Sequence, residues 1–495
     1  MRMFLINIRD PQFCALPKAT RAKSGSIRVI GFPPIGIMSL SAVLKRAGHE
    51  CVMFDQANPE TPNEVIIEEI RRQRPALVGL SFLSTTSYPY AKILARQIRD
   101  ADAKVLLAFG GVFATLNAEH VKLQCPDADF VCRGDGEQLI LDLVERFDDP
   151  ADVAGLTWVK DGQVVHNPNC SMDHNLDQWP FPDRDSLPLE FVESMPLDVP
   201  VVLSMERFTT MQTSRGCPWL CVFCDVPIFS EGKWRARSPQ HVVDELEHLQ
   251  GRGYGSVYFV DDNFLLDSKR IEGICKGIND AGIKIRWGCE GRVDSVVQHL
   301  FPVMVKAHGH ALMFGIESGS QKVLNRLKKK HTLAEVASAV KNAKQAGIET
   351  VHGFFVVGNP DETIEDMKAT FDFAAKLPLD TYSFNRLCVY RGSPLWREYV
   401  TRGLINDLTD WYKYFKCSEI DPTCLSGEVI NYERIVGLRW LFLHKLTHYP
   451  AQTLRLLWRL AHYMPMRDIL YLIIKPFLGS KRGATKAERV SRAVT

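Results

Sequence analysis

Thr213-Ser214-Arg215-Gly216-Cys217-Pro218-Trp219-Leu220-Cys221-Val222-Phe223-Cys224 is the stretch on which the reading of this chain turns. Its three cysteines stand at the spacing Cys-x3-Cys-x2-Cys in a chain whose other cysteines are scattered, and Gly216 and Pro218 suit the loop to wrapping around a bound group. Three thiolates can hold three irons of a [4Fe–4S] cube and leave the fourth open, whereas a cluster that only carries electrons normally takes four. An open iron implies chemistry. A zinc site borrowing a histidine is the other metal reading, but zinc modules usually present two Cys-x2-Cys halves or a His-x3-His partner. No such partner lies nearby. Thiols buried without a ligand are the third reading.

Downstream of this loop, strand and helix patterns alternate. Ser238-Pro239 predicts a helix start, with Ser as cap and Pro at the first position, and the strand Ser256 to Val260 follows. A helix from Asp267 to Ala281 precedes strands at Lys284 to Trp287 and Ala311 to Ile316. Thr332-Leu333-Ala334-Glu335 is a capping box, opening a helix that ends near Gly347; the strand Thr350 to Val357, a helix opened at Thr363 and a strand Tyr382 to Val389 complete the series. Such repetition predicts a parallel β/α barrel, full or partial, with functional residues at the carboxyl ends of its strands.

Upstream, residues 1–150 show the same alternation with continuous apolar strands: Phe4 to Ile8, Cys51 to Phe54, Ala76 to Ser81 and Lys104 to Gly111, separated by amphipathic helices. Runs of that kind predict a parallel sheet covered on both faces, a doubly wound Rossmann-like domain. Ligands then sit beyond the carboxyl ends of the strands, which points to the loops at 10–34, 81–88, 110–115 and 133–137. Residues 151–206 read as a connector. It contains a hairpin around Asp161-Gly162 and a proline-rich run from Trp179 to Pro188 that is extended and packed across both domains.

At 495 residues with 46% hydrophobic content, the chain can bury two domain cores and an appendage. Thirteen cysteines without a paired framework, and an N-terminus that reads as a strand, predict a reducing cytoplasm. The overall charge of +2 is unevenly spread: residues 434–495 hold twelve Lys/Arg and two Asp/Glu, so the remainder is net acidic.

The cysteine spacing resembles that of the radical S-adenosylmethionine (SAM) enzymes. The upstream segments resemble the cobalamin-binding domain that precedes the barrel in one large subclass, through Pro33-Pro34-x-Gly36, Gly110-Gly111 and Gly134-x-Gly136-Glu137. The resemblance implies an N-terminal Rossmann-like sheet, a partial (β/α)6 barrel over 207–400 and a helical, basic region over 401–495. It assigns Cys217, Cys221 and Cys224 to the cluster and Phe223 to the adenine edge of SAM. Asp261 and Asp262, at the end of the first strand after the loop, are placed at its amino group, although helix capping by Asp262 or Asn263 is the plain alternative. Arg292 is matched to the SAM carboxylate or to a salt bridge within the barrel. Glu317 and Ser318 of Gly-Ile-Glu-Ser-Gly are matched to its ribose and methionine portions, and Gly353 and Gly358 to the adenine-contacting region. Glu362 is read as a loop brace, and Arg391 as a residue facing substrate. Gly110, Gly111, Gly134 and Glu137 are the cobalamin candidates, or else the sheet is vestigial and only shapes the site. No histidine precedes His49, so the motif that supplies one to cobalt in several cobalamin proteins is missing.

The implied function is a SAM-derived 5′-deoxyadenosyl radical used in cobalamin-dependent C-methylation of an unactivated carbon. The substrate expected is small, lipophilic or tetrapyrrole-like. A non-methylating cyclase, oxidoreductase or ring-rearranging enzyme carries the same motifs, and a non-catalytic electron-transfer protein is the alternative from another class. The implied partners are that substrate and a reductant such as flavodoxin or ferredoxin. The Leu-, Trp- and Arg-rich stretch from Arg434 to Leu478 suits peripheral contact with an anionic membrane, or a helical cap on the barrel; no RNA-binding module is read.

Overall fold

The computed structural model describes residues 1–10, 33–57, 61–172, 175–187, 207–293, 295–407, 427–451, 453–454 and 457–458. The loop expected at 10–34 and most of the basic tail therefore lie largely outside the described residues.

The first sheet is built on β1 (Arg2–Asn7), β2 (Glu50–Asp55), β3 (Leu77–Ser81), β4 (Leu106–Gly110) and β5 (Phe130–Cys132), parallel and in the order β2-β1-β3-β4-β5. The apolar runs put side chains on both faces. Phe4, Ile6, Val78, Leu80, Leu107 and Phe109 enter one core, and Met3, Leu5, Leu77 and Ala108 enter another on the opposite side. Strand order reverses between β1 and β3, which places the crevice for a ligand at their carboxyl ends. β6 (Leu156–Lys160) and β7 (Gln163–His166), the hairpin read as connector, extend this sheet instead. β6 pairs antiparallel with β5, so that Val131 faces Thr157. The short β5 would otherwise present an unpaired edge.

The second sheet begins with β8 (Phe208–Met211). A small antiparallel pair, β9 (Ser214–Arg215) and β10 (Arg235–Ala236), frames the cysteine loop. It continues through β11 (Ser256–Phe259), β12 (Arg286–Gly291), β13 (Gly309–Glu317), β14 (Thr350–Val357) and β15 (Thr381–Arg386). Six parallel strands in the order β15-β14-β13-β12-β11-β8 make an open partial barrel with β8 and β15 as edges. Val257, Phe259, Trp287, Leu312, Phe314 and Val351 face the helices, while Phe208, Tyr258, Ala311 and Met313 fill the barrel's centre. Helix boundaries follow local chemistry. Ser238 accepts from the His241 N–H, and Thr332 with Glu335 and Thr363 with Asp366 form reciprocal capping boxes. Gly347, at φ 98°, ends its helix in the left-handed region.

The two domains share a core. Leu387, Val389, Leu395, Trp396 and Tyr399, from the end of the barrel, pack with Phe82, Phe109 and Phe113 of the first sheet's domain. The proline-rich run also touches both: Asp183 pairs with Lys45 at 2.7 Å, and buried Arg184 pairs with Glu245 at 2.8 Å. Glu245 is fully buried and also engages Arg237, a closed Arg-Glu-Arg triad. The helix Gly427–His448 lies on Ile364–Lys376. At Gly437 a Cβ would meet the Phe371 ring at 2.3 Å, and the Lys445 Nζ caps the Leu377 carbonyl at 2.7 Å. This helix, in the described part of the C-terminal region, thus packs one face on the barrel. Among the described residues no helix is long and apolar enough to cross a membrane.

Candidate active site between two carboxyl edges

The cysteine loop starts two residues after β8 and is pinned from the barrel side. Asp261, 2% exposed, accepts from the Thr213 N–H (2.6 Å) and from the hydroxyls of Thr213 (2.5 Å) and Ser214 (2.6 Å). Its carboxylate thus braces the loop through three hydrogen bonds. Asp262 accepts from the Gly216 N–H at 2.8 Å. Its side chain is exposed at the surface of the site. Partial desolvation, helped by the nearby charges of Asp261 and Asp225, raises its carboxyl to about 6. At Gly216, φ 86°, a Cβ would stand 2.1 Å from the Lys233 carbonyl, so only glycine fits there.

Cys221 is buried, and Cys217 and Cys224 are half-buried. Burial pushes the Cys217 and Cys224 thiols up, and the proximity of the other loop cysteines adds to it. Three thiols crowded into one poorly solvated space are costly as bare thiolates, and bound cations reverse that cost. Among the described residues no group of His, Cys, Asp or Glu converges as a single-ion site would require. Three sulfurs in one loop are the donor set that can hold three irons of a [4Fe–4S] cube. The Arg292 Nη1 donates to the Cys221 Sγ at 3.7 Å, and its guanidinium lies 4.2 Å over the Trp219 ring.

Glu317 ends β13 at φ 69°, where the β13–β14 register shifts. A non-glycine residue held there stores roughly 1–3 kcal/mol of strain, which persists where surroundings over-determine it. Here the surroundings are Lys329, whose Nζ lies 2.9 Å from the Glu317 Oε1, and Gly315, where a Cβ would come 2.8 Å from the same oxygen. The Lys329 carbonyl in turn accepts from Arg292. Glu317, Lys329, Arg292 and Cys221 thus form one connected line. Lys329 was missed in the sequence, since a run of three lysines reads as solvated surface. Tyr258 and Glu290 were missed as well. They hydrogen-bond to each other at the barrel's centre, and burial raises the Glu290 carboxyl.

Other expected site residues have different work. The Ser318 hydroxyl, fully buried, bonds to Thr370 (3.0 Å) and accepts from the Ser320 N–H (3.1 Å), tying a turn together. A Cβ at Gly353 would meet Leu379, Phe355 and Ile316 within about 3 Å, so its lack of a side chain serves packing on the helix side. Gly358 donates its N–H to Glu362 at 2.6 Å and abuts Ile430, and Glu362 does brace this loop. Phe223 packs partly buried between the interdomain core and Val222, Val323 and Leu327. Arg391 is bound bidentately by Asp407 (3.1 and 2.8 Å) and donates to Asn117 at 2.9 Å, so its guanidinium joins domains instead of facing substrate.

The first sheet's carboxyl edge is built from backbone and small groups. At Gly110 a Cβ would meet nothing within 4 Å, whereas at Gly111, φ 98°, it would strike the Phe82 carbonyl at 2.4 Å. Gly134, φ 86°, turns the chain after β5. Ser84, Thr86 and Ser87 hydrogen-bond to Asp10. The open space over Gly110 fits the close approach of a flat macrocycle, while the missing Cβ atoms of Gly111 and Gly134 face Phe82, and Met172 with Cys170, and shape the turns. Glu137 follows the Gly134 turn but is engaged elsewhere: Arg215 of the cysteine loop binds it at 2.5 and 3.0 Å and reaches Asp135 at 3.2 Å. Burial alone would raise the Glu137 carboxyl, but Arg215 holds it below the ordinary range.

These features define an enzyme class in which a barrel-borne iron–sulfur cluster faces a second cofactor on a doubly wound sheet. Comparison with known proteins supplies the family. Residues 211–374 match the radical SAM superfamily and residues 30–144 the B12 binding domain. The chain is 31% identical over 402 residues to an uncharacterized methyltransferase of Pyrococcus horikoshii, covering 80% of this chain and 84% of that protein. It is 26% identical over 485 residues to the anaerobic magnesium-protoporphyrin IX monomethyl ester cyclase of Cereibacter sphaeroides, covering 93% and 74%. Among solved structures, the cobalamin-dependent SAM radical enzyme OxsB with aqua-cobalamin bound shares the fold at TM-score 0.71 and 16% identity, covering 100% of this chain and 79% of that one. The chain belongs to the radical SAM superfamily, in the branch carrying a B12 binding domain. Its cofactors are a [4Fe–4S] cluster, SAM and cobalamin.

Proposed function

We propose that this enzyme methylates an unactivated carbon of a small, lipophilic or tetrapyrrole-like biosynthetic intermediate. The observation that carries the reading is the abutment of the two carboxyl edges, made by the Arg215 bond to Glu137 at 2.5 Å. When bound, the cluster with SAM supplies a radical for hydrogen abstraction and cobalamin supplies a methyl group; the protein positions both and excludes water. Cys217, Cys221 and Cys224 hold the cluster. Asp262 accepts the SAM amino group, Glu317 contacts its sugar or methionine portion, and Arg292 balances charge beside Cys221. Gly110 leaves open space for the corrinoid, and Gly111 and Gly134 set the turns beside it.

Support for methyl transfer comes from the relative named a methyltransferase, which spans most of both chains. The cyclase match over 93% of this chain supports the second reading, a non-methylating radical reaction. Anaerobically reconstituted protein, given reductant, SAM and the metabolites that accumulate in a deletion strain, is expected to yield 5′-deoxyadenosine and S-adenosylhomocysteine together. 5′-Deoxyadenosine with no S-adenosylhomocysteine would move the assignment to the cyclase type. An external one-electron donor and a small-molecule substrate complete the reaction. The helix Gly427–His448 exposes Trp440, Leu443 and Leu446, and we read this face as a peripheral membrane contact. Co-sedimentation with anionic vesicles, lost in Trp440→Ser with Leu443→Ser, tests it.

A further inference from the structure

Arg215 stands two residues before Cys217; its Nε donates to Gln212 of its own domain at 2.9 Å, while its two Nη atoms reach across to the other domain. Its guanidinium spans Glu137 (2.5 and 3.0 Å) and Asp135 (3.2 Å), and Arg235 of β10 closes the group by pairing with the same Asp135. Glu137 is 3% exposed. Both carboxylates follow directly on the Gly134 turn at the end of β5, on the edge where the first sheet presents its ligand site. The chain from Arg215 to Cys217 has no slack. Gly216 sits at φ 86° under the Lys233 carbonyl, with its N–H fixed on Asp262. A displacement of the turn after β5 must therefore move Arg215, and with it the first cluster ligand.

We propose that Arg215, clamped by Glu137 and Asp135, is a positioning residue that couples the two cofactor sites, so that the cluster and the corrinoid bind cooperatively. The proposal rests on the cobalamin reading above. Bidentate guanidinium–carboxylate geometry transmits direction as well as charge, which a lysine cannot reproduce. Coupling between sites is reciprocal and commonly amounts to about 5- to 150-fold in affinity. A second interdomain clamp, Arg391 on Asp407 and Asn117, makes its side-chain bonds outside the cysteine loop. It serves as a control for a merely loosened interface.

The test is titration of full-length protein with hydroxocobalamin, followed by absorbance, before and after reconstitution of the cluster. Wild type is expected to bind the corrinoid about tenfold more tightly with the cluster in place. Added corrinoid is also expected to change the visible circular dichroism of the oxidised cluster. Glu137→Gln reduces the difference to about twofold or less and abolishes the dichroism response. Arg215→Lys, which keeps the charge, does the same and stands in if the first variant fails to fold; Arg391→Lys retains both signals. Equal corrinoid affinity with and without cluster in wild type overturns the coupling, as do unchanged signals in Glu137→Gln and Arg215→Lys or equal loss in Arg391→Lys. Absence of corrinoid binding by either form of wild type overturns the cobalamin reading together with the coupling, and is distinguishable from the other results because no titration curve exists.

Discussion

At the carboxyl edge of the first sheet the site is backbone: Gly110, Gly111 and Gly134, with the hydroxyls of Ser84 and Thr86 bound to Asp10. At the mouth of the barrel it is charge: Asp262, Glu290 and Glu317 facing Lys329 and Arg292, with Asp261 holding the loop. The difference follows the cofactors. A wide corrinoid is held by close approach over a large area, for which side chains are an obstruction. SAM is small and charged at the end that meets iron, so it is held by a few groups in fixed positions. One edge is therefore sensitive to added volume, and the other to removed charge.

Removing Cys221 probes the charged edge most severely. Cys221→Ala is expected to abolish 5′-deoxyadenosine formation and the cluster's visible absorbance, while hydroxocobalamin still binds, more weakly than to cluster-loaded wild type. Next is Glu245→Ala, which breaks the triad behind the barrel edge, where Arg184 also donates to the Thr210 carbonyl and the Arg237 N–H to the Thr213 carbonyl. It leaves two buried guanidiniums without their carboxylate and should cost about 3–5 kcal/mol in urea unfolding. The backbone edge breaks with Gly111→Ala, at a cost of about 1–3 kcal/mol in strain. Corrinoid retention should fall while cluster absorbance stays unchanged, and an unaltered corrinoid content would remove Gly111 from that site.

The smallest expected effect is one of pH. Asp262 has its carboxyl raised to about 6, so its charge, and with it the hydrogen bond proposed to the SAM amino group, disappears as pH falls through that value. SAM affinity of the cluster-loaded enzyme should weaken about tenfold between pH 7.5 and 5, as expected for losing one hydrogen bond to a charged group. In Asp262→Asn that dependence should flatten; a dependence that persists would mean another group receives the amine.

Most of the architecture could be read along the chain because it depends on local periodicity. Continuous apolar strands, the capping box at Thr332 and Glu335 and the glycine stop at Gly347 act within a few residues. The cysteine spacing is equally local, because a loop that presents three sulfurs to one cluster needs them close in sequence. The hairpin after β5 was legible as a hairpin, but its membership of the first sheet depends on an edge only folding exposes. Asp261 and Ser318 were legible as polar residues at strand ends, yet whether such a group meets a ligand or a neighbour is set by what surrounds it. The surroundings gave Asp261 to Thr213 and Ser214, and Ser318 to Thr370.

By itself, then, the sequence determined the two sheets, the spacing of the three loop cysteines and the family of cofactors, since each rests on spacing or periodicity. Only the tertiary structure decided that Glu137 answers to Arg215 across 78 positions of sequence, that Lys329 is buried against Glu317, and that Arg391 joins the domains. Charged pairs form wherever folding brings opposite charges together and removes water from around them. No local pattern of residues specifies that meeting.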